Sequence, residues 1–291
     1  MLTRVFHLHA LSALHVGVGQ AIGVVDLPIA RARSTQLPIV PGSALKGVMR
    51  DELSESPHRE TLFGPERIDG PNGAHAGALA FGDAQLLIFP VRSFAGVMAY
   101  VTCPFVLTRF AEDCRRAGCL STPKVPELKE EEIMLTSSSV IKVGDDHVVL
   151  EDLDLVAKAG ADGWADRLSS YLFSEKESGL KASFVERFAI IFDDNFTFLT
   201  ETATEIRARI RMNERGVVEQ GALWYEENLP AETVLWGVLA AGSSRNIQDP
   251  QSPEEVMAEF EKRAKAADVV QIGGKATVGR GLVRFLMGSA S

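Results

Sequence analysis

Residues 15–50 read HVGVGQAIGVVDLPIARARSTQLPIVPGSALKGVMR, and the rest of the chain is organised around them. The stretch opens with His15 and a loop punctuated by Gly17, Gly19, Gly23, Pro28 and Pro38, which excludes regular structure through most of 16–40. It passes one acid, Asp26, and two arginines, Arg31 and Arg33, and closes in the helix start PGSALKGVMR. Leu45, Val48, Met49 and Leu53 fall there at helical spacing on one face, with Ser43 placed to cap. Lys46 and Arg50 lie four apart on a neighbouring face, so both can meet one object. A lysine in a first turn opposes the helix dipole. An anion at that helix start would offset the cost and use the free backbone N–H groups. A solvated pair of basic side chains is the bland alternative. By the same standard Asp26 before Leu-Pro is ordinary turn chemistry, His15 reads as a structural histidine, and Glu226 and Glu227 as a strand end.

The strand of residues 2–14 precedes this stretch. Residues 55–78 are rich in Gly, Pro, His and Arg and read as an insertion loop, with turn signals throughout FGPERIDGPNG. Two apolar runs in 79–102 predict two core strands, and Pro104 opens a helix over 104–118. Residues 120–150 read as irregular, with a hairpin at VIKVGDDHVVL; 151–183 as partly helical; and RFAIIFDDNFTFLT, from Arg187, as strand with an Asp-Asp-Asn turn. In TEIRARIRMNERGVVEQGALWYEENLP, Ile206, Ala208, Ile210 and Met212 alternate with Arg207, Arg209 and Arg211. That is a strand with an apolar face and an arginine face, and the Asn213–Gly216 turn returns it as a long hairpin. Three arginines on one strand face repel one another, which a polyanion lying across them would relieve; a solvated arginine row is the alternative. Then come a buried strand, ETVLWGVLAA, a helix from Ser252 to about Ala267 with capping-box spacing, and a short strand, VVQIGG. The last feature is the loop GGKATVGRGLVRF, whose Gly273, Gly274, Gly279 and Gly281 accompany Lys275 and Arg280. Glycines let a backbone approach a phosphate closely. A strand, not a helix, follows, which departs from the Walker and Rossmann contexts, so no nucleotide cofactor is expected.

The chain has 291 residues, 46% hydrophobic and 24% charged, ordinary for a globular protein. No apolar run reaches membrane-span length and no signal-peptide pattern opens the chain, so a cytoplasmic protein with no membrane partner is expected. The three cysteines, Cys103, Cys114 and Cys119, form no CxxC pair; reduced thiols are expected, with Cys103 and Cys119 as small packed residues. The net charge of −9 is uneven: residues 1–50 carry +4, residues 271–291 carry +3, and the rest carries −16. If the ends converge, an acidic protein still presents one basic track. Strand, helix, two strands, helix, strand is the ferredoxin-like order. Residues 2–14, 43–54, 79–102 and 232–286 supply it, which puts the N-terminal strand and the C-terminal glycine loop in one sheet.

The Asp26 loop DLPIAR with LPIVPGSALKGVMR, TCPFVLTR at 102–109, GALWYEENLP at 221–230 and the terminal QIGGKATVGRGLVRF together resemble the RAMP superfamily of CRISPR proteins. The resemblance is closer to the repeated backbone subunit of type III-B (Cmr) effector complexes, the fourth subunit. It spans nearly the whole chain in the family's order. It implies an α+β fold: a single domain, 1–291, with a modified ferredoxin-like (RRM-like) palm, insertions at about 55–78 and 110–185, and a β-hairpin thumb at about 203–227. It implies copies stacked into a helical filament on a guide (CRISPR) RNA, among other Cmr subunits. It also implies endonucleolytic cutting of complementary target RNA at regular spacing, with a divalent ion, Mg or Mn. On the matching positions, Asp26 is the cleavage aspartate and a possible metal ligand through water, with His15 and Glu227 around it and Tyr225 beside them. Lys46 and Arg50 match guide-backbone contacts, and Gly273 to Gly281 the glycine loop. With Arg31, Arg33 and the thumb arginines these form the expected RNA-binding set. A non-cleaving guide-binding scaffold and a small-molecule phosphate enzyme remain the rival readings.

Overall fold

The computed structural model describes residues 1–20, 25–67, 74–119 and 121–288. Gly23 and all of IDGPNG, residues 68–73, therefore lie outside the described residues. In chain order the elements are β1 (Leu2–Ala10), β2 (Ile39–Val40), α1 (Gly42–Glu52), α2 (Arg59–Phe63), β3 (Leu79–Phe81), β4 (Ala84–Arg92), β5 (Met98–Thr102) and α3 (Pro104–Arg116). The middle of the chain adds β6 (Glu132–Leu135), β7 (His147–Leu150), β8 (Leu153–Ala159), α4 (Asp162–Leu172), α5 (Ser178–Arg187), β9 (Phe188–Ile191) and α6 (Asp193–Thr202). The last third is β10 (Glu205–Met212), β11 (Val218–Asn228), β12 (Val234–Ala241), α7 (Pro253–Ala266), β13 (Val269–Gln271) and β14 (Leu282–Met287).

One mixed sheet runs β13-β14-β1-β12-β4-β5-β9-β6-β8-β7, with β2 on β4 and β3 on β12. The half around β1 is antiparallel at every pairing: β14 and β12 flank β1, and β3 and β4 follow β12. This brings the basic chain ends together, β1 beside β14. β1 is buried from Val5 to Ala10, because helices cover both of its faces. Alternation sorts its side chains. Phe6 stacks on Phe285 at 5.1 Å between ring centroids, with Phe260 of α7 edge-on to Phe285. His7 points the other way, stacked on Tyr171 of α4 at 4.8 Å and edge-on to Phe110 of α3 at 5.7 Å. Gly237 sits opposite Phe6 in the neighbouring strand, where a Cβ would collide with the Phe6 ring. Among the described residues no helix is long and apolar enough to cross a membrane.

Several sequence expectations are corrected. Ser43 does not cap α1: Pro41 occupies that position, and the Gly42 N–H donates to Asp83 Oδ1 at 2.8 Å. An acid of the protein itself thus sits at the helix start where an external anion was considered. Asp-Asp-Asn at 193–195 begins α6 instead of a turn, and Asp193 Oδ1 accepts the Phe105 N–H at the start of α3. Acids are favoured in a first helical turn, which is why this polar triplet goes helical. Residues 55–78 contain α2. The hairpin expected at 140–150 lies later, as β7 and β8, with Val143 and His147 bridged before it. Residues 110–185 do more than loop: β6, β7 and β8 lengthen the sheet beyond β9. The capping box of Ser252 and Glu255 forms as expected and opens α7.

Candidate nucleic-acid interface

Among the described strands, β10 and β11 pair with each other as an antiparallel ribbon apart from the main sheet. Asn213 makes the turn: its side-chain oxygen accepts the N–H groups of Arg215 and Val217 at 3.0 and 3.1 Å. Register places Arg207 opposite Glu226 and Arg209 opposite Trp224 on one face, with Ala208 opposite Tyr225 and Ile210 opposite Leu223 on the other. The apolar face is bare: Ile206, Ile210, Met212, Leu223 and Tyr225 are all exposed.

The foot of this ribbon holds the Asp26 loop. Leu27 bridges Glu226 in parallel, the Leu27 N–H donates to Tyr225 O at 3.1 Å, and the Glu227 N–H donates to Leu27 O at 3.0 Å. On the other side Leu14 bridges Leu229, and Gly17 bridges Ile29. The two ends of the 15–31 loop are thereby stitched together and onto β11. Asp26 Oδ2 accepts the Tyr225 N–H at 2.7 Å; no other hydrogen bond to this carboxylate is seen among the described residues. Asp26 lines an open cleft of about 590 Å³ with Gln20, Arg211, Trp224 and Lys275.

His15 and Glu227, expected as catalytic groups, are spent on holding this loop. His15 is buried, and its Nδ1 lies 2.7 Å from Glu227 O. A carbonyl only accepts, so Nδ1 carries the hydrogen of this bond. Nε2 faces Gly17, where a Cβ would approach it to 2.7 Å. Glu227 Oε2 accepts the Ile29 N–H at 3.1 Å, and Oε1 pairs with the Arg31 guanidinium at 2.6 Å. Arg31 also donates to Gln36 O and Thr200 O, so it is a strut of the loop and not a free cation. Arg33 is exposed and has no ion-pair partner among the described residues.

The thumb arginines are answered from within the protein. Arg207 pairs with Glu205 at 2.6 Å, Arg209 with Glu226 at 3.6 Å, and Arg211 with Glu219 at 3.7 Å. Their mutual repulsion therefore requires no external polyanion. The residue that sequence reasoning missed is Glu226. Its side chain is 0% exposed, Oε1 lies 2.8 Å from Lys275 Nζ and accepts from Trp224 Nε1 at 2.8 Å, and Arg280 approaches Oε2 at 3.9 Å. Burial opposes its ionisation, yet hydrogen bonds from Lys275 and Trp224 hold its carboxyl below the usual range. Arg280, itself buried, also donates to Asn228 Oδ1. The available signal was a charge count: arginines on one strand and a basic glycine loop need an acid between them, and the Glu pair ends that strand.

The glycine loop is glycine-rich for its own packing. A Cβ at Gly273 would strike His15 O, and one at Gly281 would strike Ile272 O. The Gly274 N–H donates to His15 O at 3.0 Å and the Gly281 N–H to Ala13 O at 2.9 Å. Only Gly279, with φ +76° and open space around it, keeps a free approach. On α1, Lys46 Nζ lies 3.5 Å from Leu79 O; burial and the Arg50 charge hold its pKa below the ordinary lysine value. Arg50 has no ion-pair partner among the described residues. A second cation that close to Lys46 favours an anion between them. Among the described residues no three His, Cys, Asp or Glu side chains group as a metal site.

A family model described as the RAMP superfamily matches residues 7–284. The chain is 38% identical over 288 residues to the protein of Pyrococcus furiosus named CRISPR system Cmr endoribonuclease Cmr4, covering 96% of this chain and 94% of that one. It superposes on the crystal structure of oligomeric Cmr4 from Pyrococcus furiosus with TM-score 0.75 and 28% identity, covering 100% and 99% of the two chains. A chain of the type III-B Cmr-beta complex bound to cognate target RNA shares the fold, with TM-score 0.73, 21% identity, and 99% and 97% coverage.

Proposed function

The chain belongs to the RAMP superfamily, and from that premise we propose that it is the endoribonuclease backbone subunit of a type III-B Cmr effector complex, binding guide RNA and cutting complementary target RNA. The strands β1, β3–β4, β12 and β14 with α1 and α7 are its ferredoxin-like palm, and the β10–β11 ribbon is its thumb. Copies of the chain stack beside other Cmr subunits along the guide. The observation that carries this reading is the Asp26 carboxylate, pinned by the Tyr225 N–H at the foot of the thumb and lining an open cleft beside Lys275 and Arg211.

RNA brings its own nucleophile, the 2′-OH. Cutting requires the 2′ oxygen, phosphorus and 5′ oxygen in line, a base near the 2′-OH, and relief of charge on the phosphorane. Asp26 Oδ2 is committed to Tyr225, which leaves Oδ1 to take or orient the 2′-OH proton. Lys275 and Arg211 line the same cleft and are the cations that meet phosphate charge. His15 and Glu227 act as positioning residues, because each fixes the loop through bonds already made. Lys46, Arg50 and Arg33 are the cations best placed to hold guide phosphates without breaking an internal pair.

The donor set does not fit a resident metal. One carboxylate with one oxygen occupied makes no closed site, and no second acid joins it among the described residues. A Mg or Mn ion required for cutting would be held mainly by water and by phosphate oxygens of the RNA, as magnesium commonly is. The test of the proposal is cleavage of a guide-complementary RNA by the assembled complex with Asp26→Asn in this chain. RNA binding at wild-type strength with no cleavage supports the assignment; unchanged cleavage leaves the chain a binding scaffold.

A further inference from the structure

The Cys114–Cys119 pair lies away from the Asp26 cleft, where α3 ends. The Cys119 N–H donates to Cys114 O at 2.9 Å, the Ala117 N–H donates to Asp113 O at 2.9 Å, and Gly118 adopts φ +71°. This helix-ending motif folds the chain back on itself and brings residues five apart onto the same side of the last turn. Cys114 is 1% exposed, whereas Cys119 is only partly buried. We propose that Cys114 and Cys119 are a redox-active dithiol that closes to an intramolecular disulfide on meeting a small-molecule disulfide, with Cys119 attacking and Cys114 resolving.

The surroundings assign the two roles. Cys119 is the more exposed of the two thiols, and the neighbouring Cys114, the charges of Arg4 on β1 and Arg167 on α4, and the Val5 N–H lower its pKa against the desolvation of its partial burial. The neighbouring Cys119 and burial push the Cys114 thiol up, as the proton-holding partner of a pair should be. The other titratable groups around the pair do not reverse this. Asp113 accepts from Trp236 Nε1 at 3.1 Å, Tyr171 stays protonated with its hydroxyl pushed up to about 12 by burial, and Glu261 of α7 faces Arg4 at 3.1 Å.

The chemistry balances. The Cys119 thiolate attacks one sulfur of the disulfide RSSR, forming Cys119–S–SR and releasing RS⁻. The Cys114 sulfur then attacks Cys119 sulfur, the S–SR bond breaks, and RSH leaves with the Cys114 proton. The protein loses two hydrogens and RSSR is reduced to two thiols.

Oxidised glutathione is the probe, applied to the full chain, with peptide mapping by mass spectrometry under non-reducing conditions. The native chain should accumulate a Cys114–Cys119 disulfide and no lasting glutathione adduct. Cys114→Ser should hold one glutathione on Cys119, and Cys119→Ser none. Alkylation of the native chain by iodoacetamide at pH 7 gives an independent readout that needs no variant. Cys119 should react at least tenfold faster than Cys103, which is 1% exposed and whose thiol burial pushes up. Unmodified thiols in the native chain, a persistent adduct on Cys119 beside a free Cys114, or equal alkylation of Cys119 and Cys103 would each overturn the proposal.

Discussion

His7 illustrates what one buried side chain contributes to the pH response. Both ring nitrogens are buried between Tyr171 and Phe110 without a hydrogen-bond partner among the described residues, and burial lowers its pKa from 6.5 to about 3. A group depressed in the folded state contributes stability above its unfolded pKa and loses it as pH falls from about 6.5 towards about 3. At pH 5 the native state should therefore have lost about 2 kcal/mol relative to pH 8 through this residue. His7→Phe should remove most of that difference, read as urea midpoints at the two pH values; an unchanged difference would exonerate His7. Glu226 is the second residue to test. Removing one member of a buried ionic cluster strands the others, at a cost of about 3–5 kcal/mol. Glu226→Gln should destabilise by that order in urea unfolding and loosen Lys275, because Lys275, Arg209 and Arg280 lose a shared partner. A loss under about 1 kcal/mol would show that water already screens the cluster.

At the scale of the element, the thumb carries the clearest prediction. Its apolar face is exposed in one chain, and an apolar surface of this kind calls for a partner. Ile210→Asp should leave the monomer's stability within about 0.5 kcal/mol, as for other surface changes, while shifting sedimentation of the guide-bound assembly towards smaller species. Assemblies of unchanged size would place that face in solvent. This hairpin was legible in the sequence because alternation of Ile and Arg over Ile206–Met212 and the Asn213 turn are local signals. The α7 capping box was legible for the same reason. Asp193 and Asp83 were not, since each caps a helix start through a contact that only the tertiary fold creates: 88 residues separate Asp193 from Phe105, and 41 separate Asp83 from Gly42. The middle strand β6 was obscured because it is short and its partners, parallel β8 and antiparallel β9, are distant, whereas β7 and β8 form a tight hairpin that turns after Leu150, later than the Gly-Asp-Asp signal.

At the scale of the whole molecule, the β1–β14 pairing sets the two basic ends of a protein of net charge −9 side by side. It brings the His15 loop against the glycine loop, and the thumb foot then closes on both through Glu226 and Glu227. In the candidate site, Asp26 and its neighbourhood were readable through the family motif. The division of labour was not, because whether a histidine or glutamate reacts or braces depends on its partners in space. The cleft lined by Asp26 is open, and on the proposed function guide RNA and the adjoining copy would fix in-line geometry. The purified chain without guide should accordingly cut RNA at least a hundredfold more slowly than the assembled complex, a ratio measurable with end-labelled RNA. The most direct test of the central claim is the product ladder of a guide-complementary RNA at single-nucleotide resolution, comparing complexes built with the wild-type chain and with Asp26→Asn. Evenly spaced cuts that vanish in the variant while RNA binding is retained are the predicted result; the same ladder from both complexes would contradict it.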